Sequence, residues 1–160
     1  MGSTFGINYK RTYAVADIVN LPAGLRTRGE NNFGSFIFVL ASAGIAQFAS
    51  VGVNGAGSAA ELTTTTYATV AAVGFAQVAV LSGEYFWLWV GKGGGTGSGI
   101  KGNVAASYAA GALINTTATA GLVDDAATKI LGGVVGLTTA GGATVAVELM
   151  AAGYIIKVTA

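Results

Sequence analysis

The chain has 160 residues and holds eight Lys/Arg and seven Asp/Glu side chains, for a formal net charge of +1. It contains neither histidine nor cysteine, which excludes thiolate chemistry and removes the commonest neutral-pH general base and metal ligand. The charged fraction of 9% is far below the usual value of about 25%. Because so weakly charged a surface favours association, we expect much of it to be covered in an assembly.

The first 32 residues differ in composition from the rest of the chain. They hold half of the basic residues and the only proline, Pro22, yet they also carry more apolar side chains than a solvated tail needs. We therefore predict an extended N-terminal arm over residues 1–32 that binds another protein, followed by a β domain over residues 33–160. No apolar segment precedes Lys10 and Arg11, so the sequence does not predict a signal peptide.

From Phe33 onward, short apolar segments alternate with glycine-containing turns. The strands predicted in this part are residues 35–40, 44–53 and 62–70. The last of them contains four consecutive threonines, which are β-branched and stiff at χ1. Asn54-Gly55 is a typical turn dipeptide and begins a predicted loop over residues 54–60.

Residues 73–91 are the most apolar part of the chain and contain both tryptophans. Ser82-Gly83 separates two apolar runs, and a two-residue loop with glycine indicates a hairpin, which places Ala76 opposite Trp89. Each strand is apolar on both faces, so we predict that both faces are covered. One face lies in the core. The other consists of Tyr85, Trp87 and Trp89, and either the same chain or a neighbouring molecule covers it.

The second half continues in the same style after a predicted glycine-rich loop over residues 92–99. The predicted strands are residues 100–107, 112–117, 130–137, 144–149 and 154–159. Short strands with glycine turns at intervals of about 8–12 residues indicate an all-β sandwich or small β-barrel. Similar Val-Gly segments occur at Gly74 and Gly136, 62 positions apart. Whether residues 33–91 and 100–160 are two similar halves stays open at this point.

The sequence patterns that suggest ligand binding have simpler explanations. Residues 97–102 match the G-x-G-x-x-G of dinucleotide sites, but no strand–helix–strand pattern surrounds them. Asp124-Asp125 is typical of a turn, and the four basic residues of the arm are too few for a phosphate-binding tract. Small and polar residues within the uncharged run 36–53 argue against a membrane span. We predict no enzymatic activity, cofactor, metal, nucleic-acid partner or small-molecule substrate.

Four segments of the chain carry a family resemblance. They are SFIFVLASAGIAQFA, AAVGFAQVAVLSGEYFWLWVGKGG, KGNVAASYAAGALINTTATAGLVDD and ILGGVVGLTTAGGATVAVELM. The pattern runs from a VG-F/L strand through a GE turn, an aromatic strand and a glycine loop to a closing TAGG hairpin. In this order it resembles the capsid decoration (cement) proteins of tailed bacteriophages, the lambda head-decoration group.

The resemblance implies a small β-barrel or β-tulip domain on the outer capsid surface of a virion, which is assembled in the host cytoplasm. Proteins of that family form trimers, sometimes dimers, and clamp neighbouring major capsid proteins against the pressure of packaged DNA. Their N-terminal arm adds a strand to the shell. For this chain the implied partners are the major capsid protein and further copies of itself, with a homotrimer as the first expectation.

The arm residues that we expect to contact the capsid are Tyr13, Val15, Ile18, Val19, Arg26 and Arg28. Apolar side chains would enter pockets beside an added strand, and the arginines would pair with capsid carboxylates. We place the trimer contact on Tyr85, Trp87 and Trp89, because aromatic residues anchor many interfaces. Ordinary core packing of these three residues is the alternative.

Two other functions fit the same composition. A phage tail-tube or tail-fibre protein would also be β-rich, poor in charge and oligomeric, and a hexameric ring or fibrous trimer in isolation would select it. A carbohydrate-binding β-sandwich would use Trp87 and Trp89 as an exposed stacking platform, and binding to a glycan array would select that function.

Overall fold

The structure, a computed structural model, describes residues 7–18, 28–126 and 129–158. These described residues form an all-β fold, as predicted, with twelve strands in one continuous hydrogen-bonded sheet. Within the described residues, the helical elements are a single turn at Val15–Ile18 (α1) and a 3-10 helix at Thr66–Ala68.

The strands of five or more residues all contain β-branched or aromatic side chains, which favour extended backbone. The first seven are β1 (Thr12–Tyr13), β2 (Arg28–Asn31), β3 (Gly34–Ala41), β4 (Ser50–Val53), β5 (Ser58–Glu61), β6 (Ala72–Ala76) and β7 (Tyr85–Gly94). The other five are β8 (Lys101–Val104), β9 (Leu113–Thr116), β10 (Val123–Asp124), β11 (Ile130–Gly136) and β12 (Val145–Lys157).

Ten of these strands form two closed rings of the same topology. In the first ring the order is β7-β6-β4-β5-β3 and back to β7, with β3 and β5 parallel and the other pairs antiparallel. In the second ring the order is β12-β11-β9-β10-β8 and back to β12, with β8 and β10 parallel and the other pairs antiparallel. Strand by strand in chain order, the second ring repeats the first. The chain is therefore two small β-barrels in tandem.

Hydrogen bonds outside the strand pairs repeat as well. Four bonds of the first ring recur in the second when each residue number rises by 60 to 64. They are Ser42 N to Ala59 O (recurring as Ala105 N to Val123 O), Val80 N to Ile45 O (Ala140 N to Tyr108 O), Phe48 N to Ala76 O (Gly111 N to Gly136 O) and Ala49 N to Ala46 O (Ala112 N to Ala109 O). Residues related in this way are called counterparts below. The Val-Gly segments at Gly74 and Gly136 are two residues out of this register, because the counterpart of Gly136 is Ala76.

Two hydrophobic clusters fill the rings. Phe86, Leu88 and Val90 of β7 point into the first ring, whose interior is otherwise aliphatic. Trp87 and Trp89 point outward and join a second cluster that includes the interior of the second ring. Both faces of β7 are covered, as its uniformly apolar sequence predicts.

The rings join where the end of β7 pairs with β12, Met150 lying opposite Gly94. A Cβ atom on Gly94 would overlap the carbonyl oxygen of Leu149. The glycines after Val90 therefore permit a close crossing of two strands, and the first part of the predicted loop 92–99 belongs to β7.

The predicted two-residue hairpin at Ser82-Gly83 is wrong in register and in length. Strand β6 pairs with β7 so that Phe75, rather than Ala76, lies opposite Trp89. Residues 77–84 form a longer connection in which Val80 bridges Ile45 and packs into the first ring. This part of the apolar run therefore contributes to the core without extending the β6–β7 ladder.

The predicted strand over residues 62–70 is also wrong. Thr63 N donates to Thr66 Oγ1 at 2.9 Å, and Thr66 N donates to Thr63 Oγ1 at 3.1 Å. Threonine side chains that bond to nearby backbone groups offer the chain an alternative to strand pairing. Here that alternative forms a turn that leads into the 3-10 helix.

The described part of the N-terminal segment belongs to the same sheet. β1 pairs with β7 beyond the end of β6, with Thr12 opposite Phe86. β2 pairs with β3, with Arg28 opposite Ile37. Residues predicted as an arm outside the β domain therefore complete the sheet of the first ring.

Candidate functional site

The described part of the N-terminal segment lies against the outside of the first ring. Tyr9 is 7% exposed and stacks on Phe36, with the ring centroids 5.1 Å apart. Tyr13 is half-buried and meets Phe38 edge-on at 5.5 Å. Residues 7–13 therefore cover this face of the first ring instead of standing free of it.

The aromatic face of β7 is packed within the chain. Trp89 is fully buried, and its Nε1 donates to the carbonyl oxygen of Phe33 at 3.1 Å. Trp87 is 5% exposed, and Tyr85 stacks on Phe38 at 5.5 Å. Core packing, the alternative to the trimer contact, is what the structure shows for both tryptophans. Since neither indole has an exposed face, they also form no platform for stacking sugars.

The other predicted arm residues differ in their positions, and the structure does not describe all of them. Val15 in α1 is 63% exposed. The Arg28 guanidinium lies over the ring of Tyr154, 4.6 Å from its centroid. Ile18 ends α1, while Val19 and Arg26 lie outside the described residues. Among the described side chains of this set, Val15 is an apolar one that lies open to a partner.

A polar cluster that the sequence did not suggest ties β2 to the junction of the rings. Glu30 Oε1 accepts hydrogen bonds from Ser35 Oγ at 2.8 Å, Lys92 Nζ at 3.1 Å and Tyr154 OH at 3.4 Å. The hydroxyl of Ser35 and the ammonium of Lys92 hold the pKa of Glu30 below its ordinary value of 4.5. The bond to Glu30 in turn raises the pKa of Lys92. The cluster is an exposed, hydrogen-bonded ion pair that links residues up to 124 positions apart.

The glycine pattern at residues 97–102 binds a carboxylate of its own chain. The N–H groups of Gly97 and Gly99 donate to Glu148 Oε1 at 3.0 and 3.3 Å. β8 follows the loop, whereas a dinucleotide site requires a helix there. The N–H groups that would cradle a phosphate are thus engaged by a side chain of β12.

The grooves lined by described residues include three of note. One of about 520 Å³ lies on the first ring, between residues 37–40 of β3 and the loop 54–58. A second, of about 440 Å³, is rimmed by Arg28, Tyr154 and Lys157. The Lys157 ammonium there donates to the carbonyl oxygens of Ala68 and Val70 at 3.1 and 2.9 Å, so much of its hydrogen-bonding capacity is used within the chain. The third, about 210 Å³, is lined in part by Glu61 and Asn103.

In the described ranges, no three Asp, Glu, His or Cys side chains come close enough together to hold a metal ion. The described part of the chain also has no helix with the length and apolar character needed to cross a bilayer. No protein-family model, curated protein or solved structure matches the sequence or the fold. The functional assignment therefore rests on the residues and contacts described above.

Proposed function

We propose that this protein is a structural component of a tailed-phage virion that binds the outer surface of the capsid and clamps neighbouring major capsid proteins. The observation that carries the proposal is how the N-terminal segment lies on the first ring. Tyr9 anchors it by stacking on Phe36 and Tyr13 by meeting Phe38 edge-on, and α1 then presents Val15 with 63% of its surface exposed. An anchored segment with an exposed apolar end suits the capture of a neighbouring protein.

The anchoring matters energetically. A segment already ordered on its own domain loses less conformational entropy when it binds, so more of the contact energy appears as affinity. Each copy can then bind weakly, because repeated contacts over one shell add up through multivalency.

Basic side chains accompany the anchored segment. Lys10 and Arg11 lie over the rings of Tyr9 and Tyr13, at 5.8 and 5.2 Å from the ring centroids, and both remain exposed. Together with Arg28, they offer positive charge to carboxylates on the capsid surface. Single exposed ion pairs contribute little, so their main effect is on orientation and the rate of encounter.

The test is to strip the protein from purified particles of the phage that encodes it and to add back chosen variants. Deleting residues 1–32 would also remove β1 and β2, so a point substitution is the cleaner probe. We expect wild-type protein to rebind and to raise the temperature at which packaged DNA is released. Val15→Asp should rebind at least about ten-fold more weakly, because it places a charge where an apolar contact is needed.

Leu81→Asp is the matched control, since Leu81 is 71% exposed on the connection after β6 and should tolerate the charge. If the wild-type chain does not associate with heads, or is found only in tails, the capsid proposal fails and the alternative function, a tail-tube or tail-fibre protein, takes its place. If Val15→Asp rebinds as well as the wild type, the role of the N-terminal segment is wrong although the capsid location stands.

A further inference from the structure

The two rings contact each other through unlike surfaces. Surface A, on the first ring, consists of Gln47, Phe48, Ser50 and Gln77. Surface B, on the second ring, consists of Lys101, Asn103, Thr117 and Gly121. The hydrogen bonds between A and B are Asn103 N to Phe48 O (2.8 Å), Asn103 Nδ2 to Gln47 O (2.9 Å), Lys101 N to Gln77 Oε1 (2.9 Å), Gln77 Nε2 to Lys101 O (2.9 Å) and Ser50 N to Gly121 O (2.8 Å). Thr117 O accepts a further bond across the junction from Thr64 N at 2.8 Å.

Because the rings share one topology, surface B has a counterpart on the first ring. The counterparts of Lys101, Asn103, Thr117 and Gly121 are Phe38, Leu40, Asn54 and Gly57. Gly57 and Gly121 share a left-handed backbone, with φ of 82° and 74°, which supports this register. All four counterparts line the 520 Å³ groove of the first ring. On the first ring, the residues that correspond to surface B thus line a groove among the described residues, and Tyr13 packs against Phe38 at its edge.

Surface A has a counterpart on the second ring. The counterparts of Gln47, Phe48, Ser50 and Gln77 are Ala110, Gly111, Leu113 and Leu137. Ala110 and Gly111 are exposed, and Leu113 is 55% exposed.

The row of residues beside surface A is likewise buried in the first ring and partly exposed in the second. In the first ring, Ser50, Phe75 and Trp89 lie opposite one another on neighbouring strands and are fully buried. The second ring helps to cover them, since a Cβ on Gly102 would overlap the ring of Phe75. The counterpart row is Leu113, Val135 and Met150, in which Met150 is 47% exposed.

We infer that copies of this chain associate head to tail by repeating the contact between the rings. Residues 110–113 of one copy, with the row Leu113, Val135 and Met150, enter the groove between Phe38 and the loop 54–57 of the next copy. The N–H of Leu40 donates to Gly57 O at 3.2 Å within the first ring, whereas the N–H of its counterpart Asn103 donates to Phe48 of the other ring. On docking, the Leu40 N–H therefore exchanges Gly57 O for an acceptor on the next copy or shares its hydrogen bond between the two. A contact between unlike surfaces generates a closed ring of copies or a filament. The inference goes beyond the capsid proposal, because it needs only copies of this chain.

Sedimentation velocity of the purified full chain over a range of micromolar concentrations tests the contact. The wild type should form species whose mass is a multiple of 15.8 kDa and which dissociate on dilution. Leu113→Asp places a carboxylate in the apolar row, and Ala56→Arg fills the mouth of the groove. Each alone should be monomeric, with far-ultraviolet circular dichroism like that of the wild type. Leu81→Asp, the control, should associate as the wild type does.

Mixing the two monomeric variants decides the direction of the contact. The intact row of the Ala56→Arg copy can enter the intact groove of the Leu113→Asp copy, so the mixture should give a dimer that neither variant forms alone. Rescue by mixing also shows that both variants are folded. A mixture that stays monomeric, a wild type that is monomeric throughout, or a Leu113→Asp variant that associates normally would each overturn the inference.

Discussion

Gly94 shows how a strand crossing dictates a single residue in this chain. Its φ is 78°, and a Cβ there would overlap the carbonyl oxygen of Leu149 in β12. Gly97 has nearly the same φ, 77°, but nothing lies within 4 Å of the place where its Cβ would be. The two glycines therefore separate the cost of a left-handed backbone from the cost of a blocked contact.

We expect Gly94→Ala to lower the free energy of unfolding by about 3 kcal/mol or more, because it adds a steric clash to the backbone strain. Gly97→Ala should lower it by about 1 kcal/mol, the cost of the left-handed conformation alone. Urea unfolding of both variants measures the difference. Equal losses would show that Gly94 is required only for its backbone angle.

The loop that contains Gly97 also shows what a residue pattern leaves out. Composition predicts a loop over residues 92–99, and the part of it after Gly94 is a loop in the structure. Its N–H groups bind the carboxylate of Glu148, 51 positions away from Gly97. A match to a phosphate-binding pattern is thus explained by an anion from the same chain, and only the folded arrangement brings that anion to the loop.

At the scale of elements, the described residues up to the end of β1 pack against the outer face of the first ring as well as forming part of the predicted arm. The sequence indicated that residues 1–32 carry surplus apolar side chains, which is correct for Tyr9 and Tyr13. Tyr9 and Tyr13 contact Phe36 and Phe38, which lie on β3 of the same chain, so these apolar side chains contribute to folding. Val15 is an exposed apolar side chain of the segment that another protein can contact.

We expect Tyr9→Ala to lower the free energy of unfolding by about 3 kcal/mol, because it empties a stacked and buried position. Val15→Ala, at an exposed position nearby, should change it by no more than about 0.5 kcal/mol. Thermal and chemical unfolding of the full chain checks both. A Tyr9→Ala variant as stable as the wild type would mean that residues 7–13 contribute nothing to the first ring.

At the scale of the whole molecule, the two rings are joined by the β7–β12 pair and by surfaces A and B. Gln77 is the buried centre of that second contact: its side-chain amide both accepts from and donates to the backbone of Lys101. A lone glutamine in the apolar run 73–81 was the one sequence signal for this contact. The composition alone did not reveal its partner.

We expect Gln77→Ala to lower the free energy of unfolding by about 2–4 kcal/mol, because two partly buried backbone groups of Lys101, its N–H and its carbonyl, lose their partner. Gln47→Ala is the control, since the exposed Gln47 contributes its backbone carbonyl to the contact and its side-chain amide makes one long bond, from Nε2 to Gln77 O at 3.3 Å, and it should cost less than about 1 kcal/mol. Urea unfolding followed by tryptophan fluorescence, which reports on β7, and by circular dichroism, which reports on both rings, measures the loss. A loss no larger than that of Gln47→Ala would show that the amide is dispensable.

Local sequence is enough to predict the all-β class, most strand positions and the covering of both faces of β7, because strand propensity and period-two patterning act between near neighbours. Four features become apparent only in the folded chain: the register of β6 against β7, the turn at residues 63–66, the burial of the tryptophans and the shared topology of the two rings. Strand partners in this chain lie tens of residues apart, and their pairing is selected by packing across the whole core. Glycine-rich strands with little side-chain variety specify such a register only weakly from local sequence. In the folded chain, the close crossing at Gly94 and the amide bridge of Gln77 hold the first ring against the second.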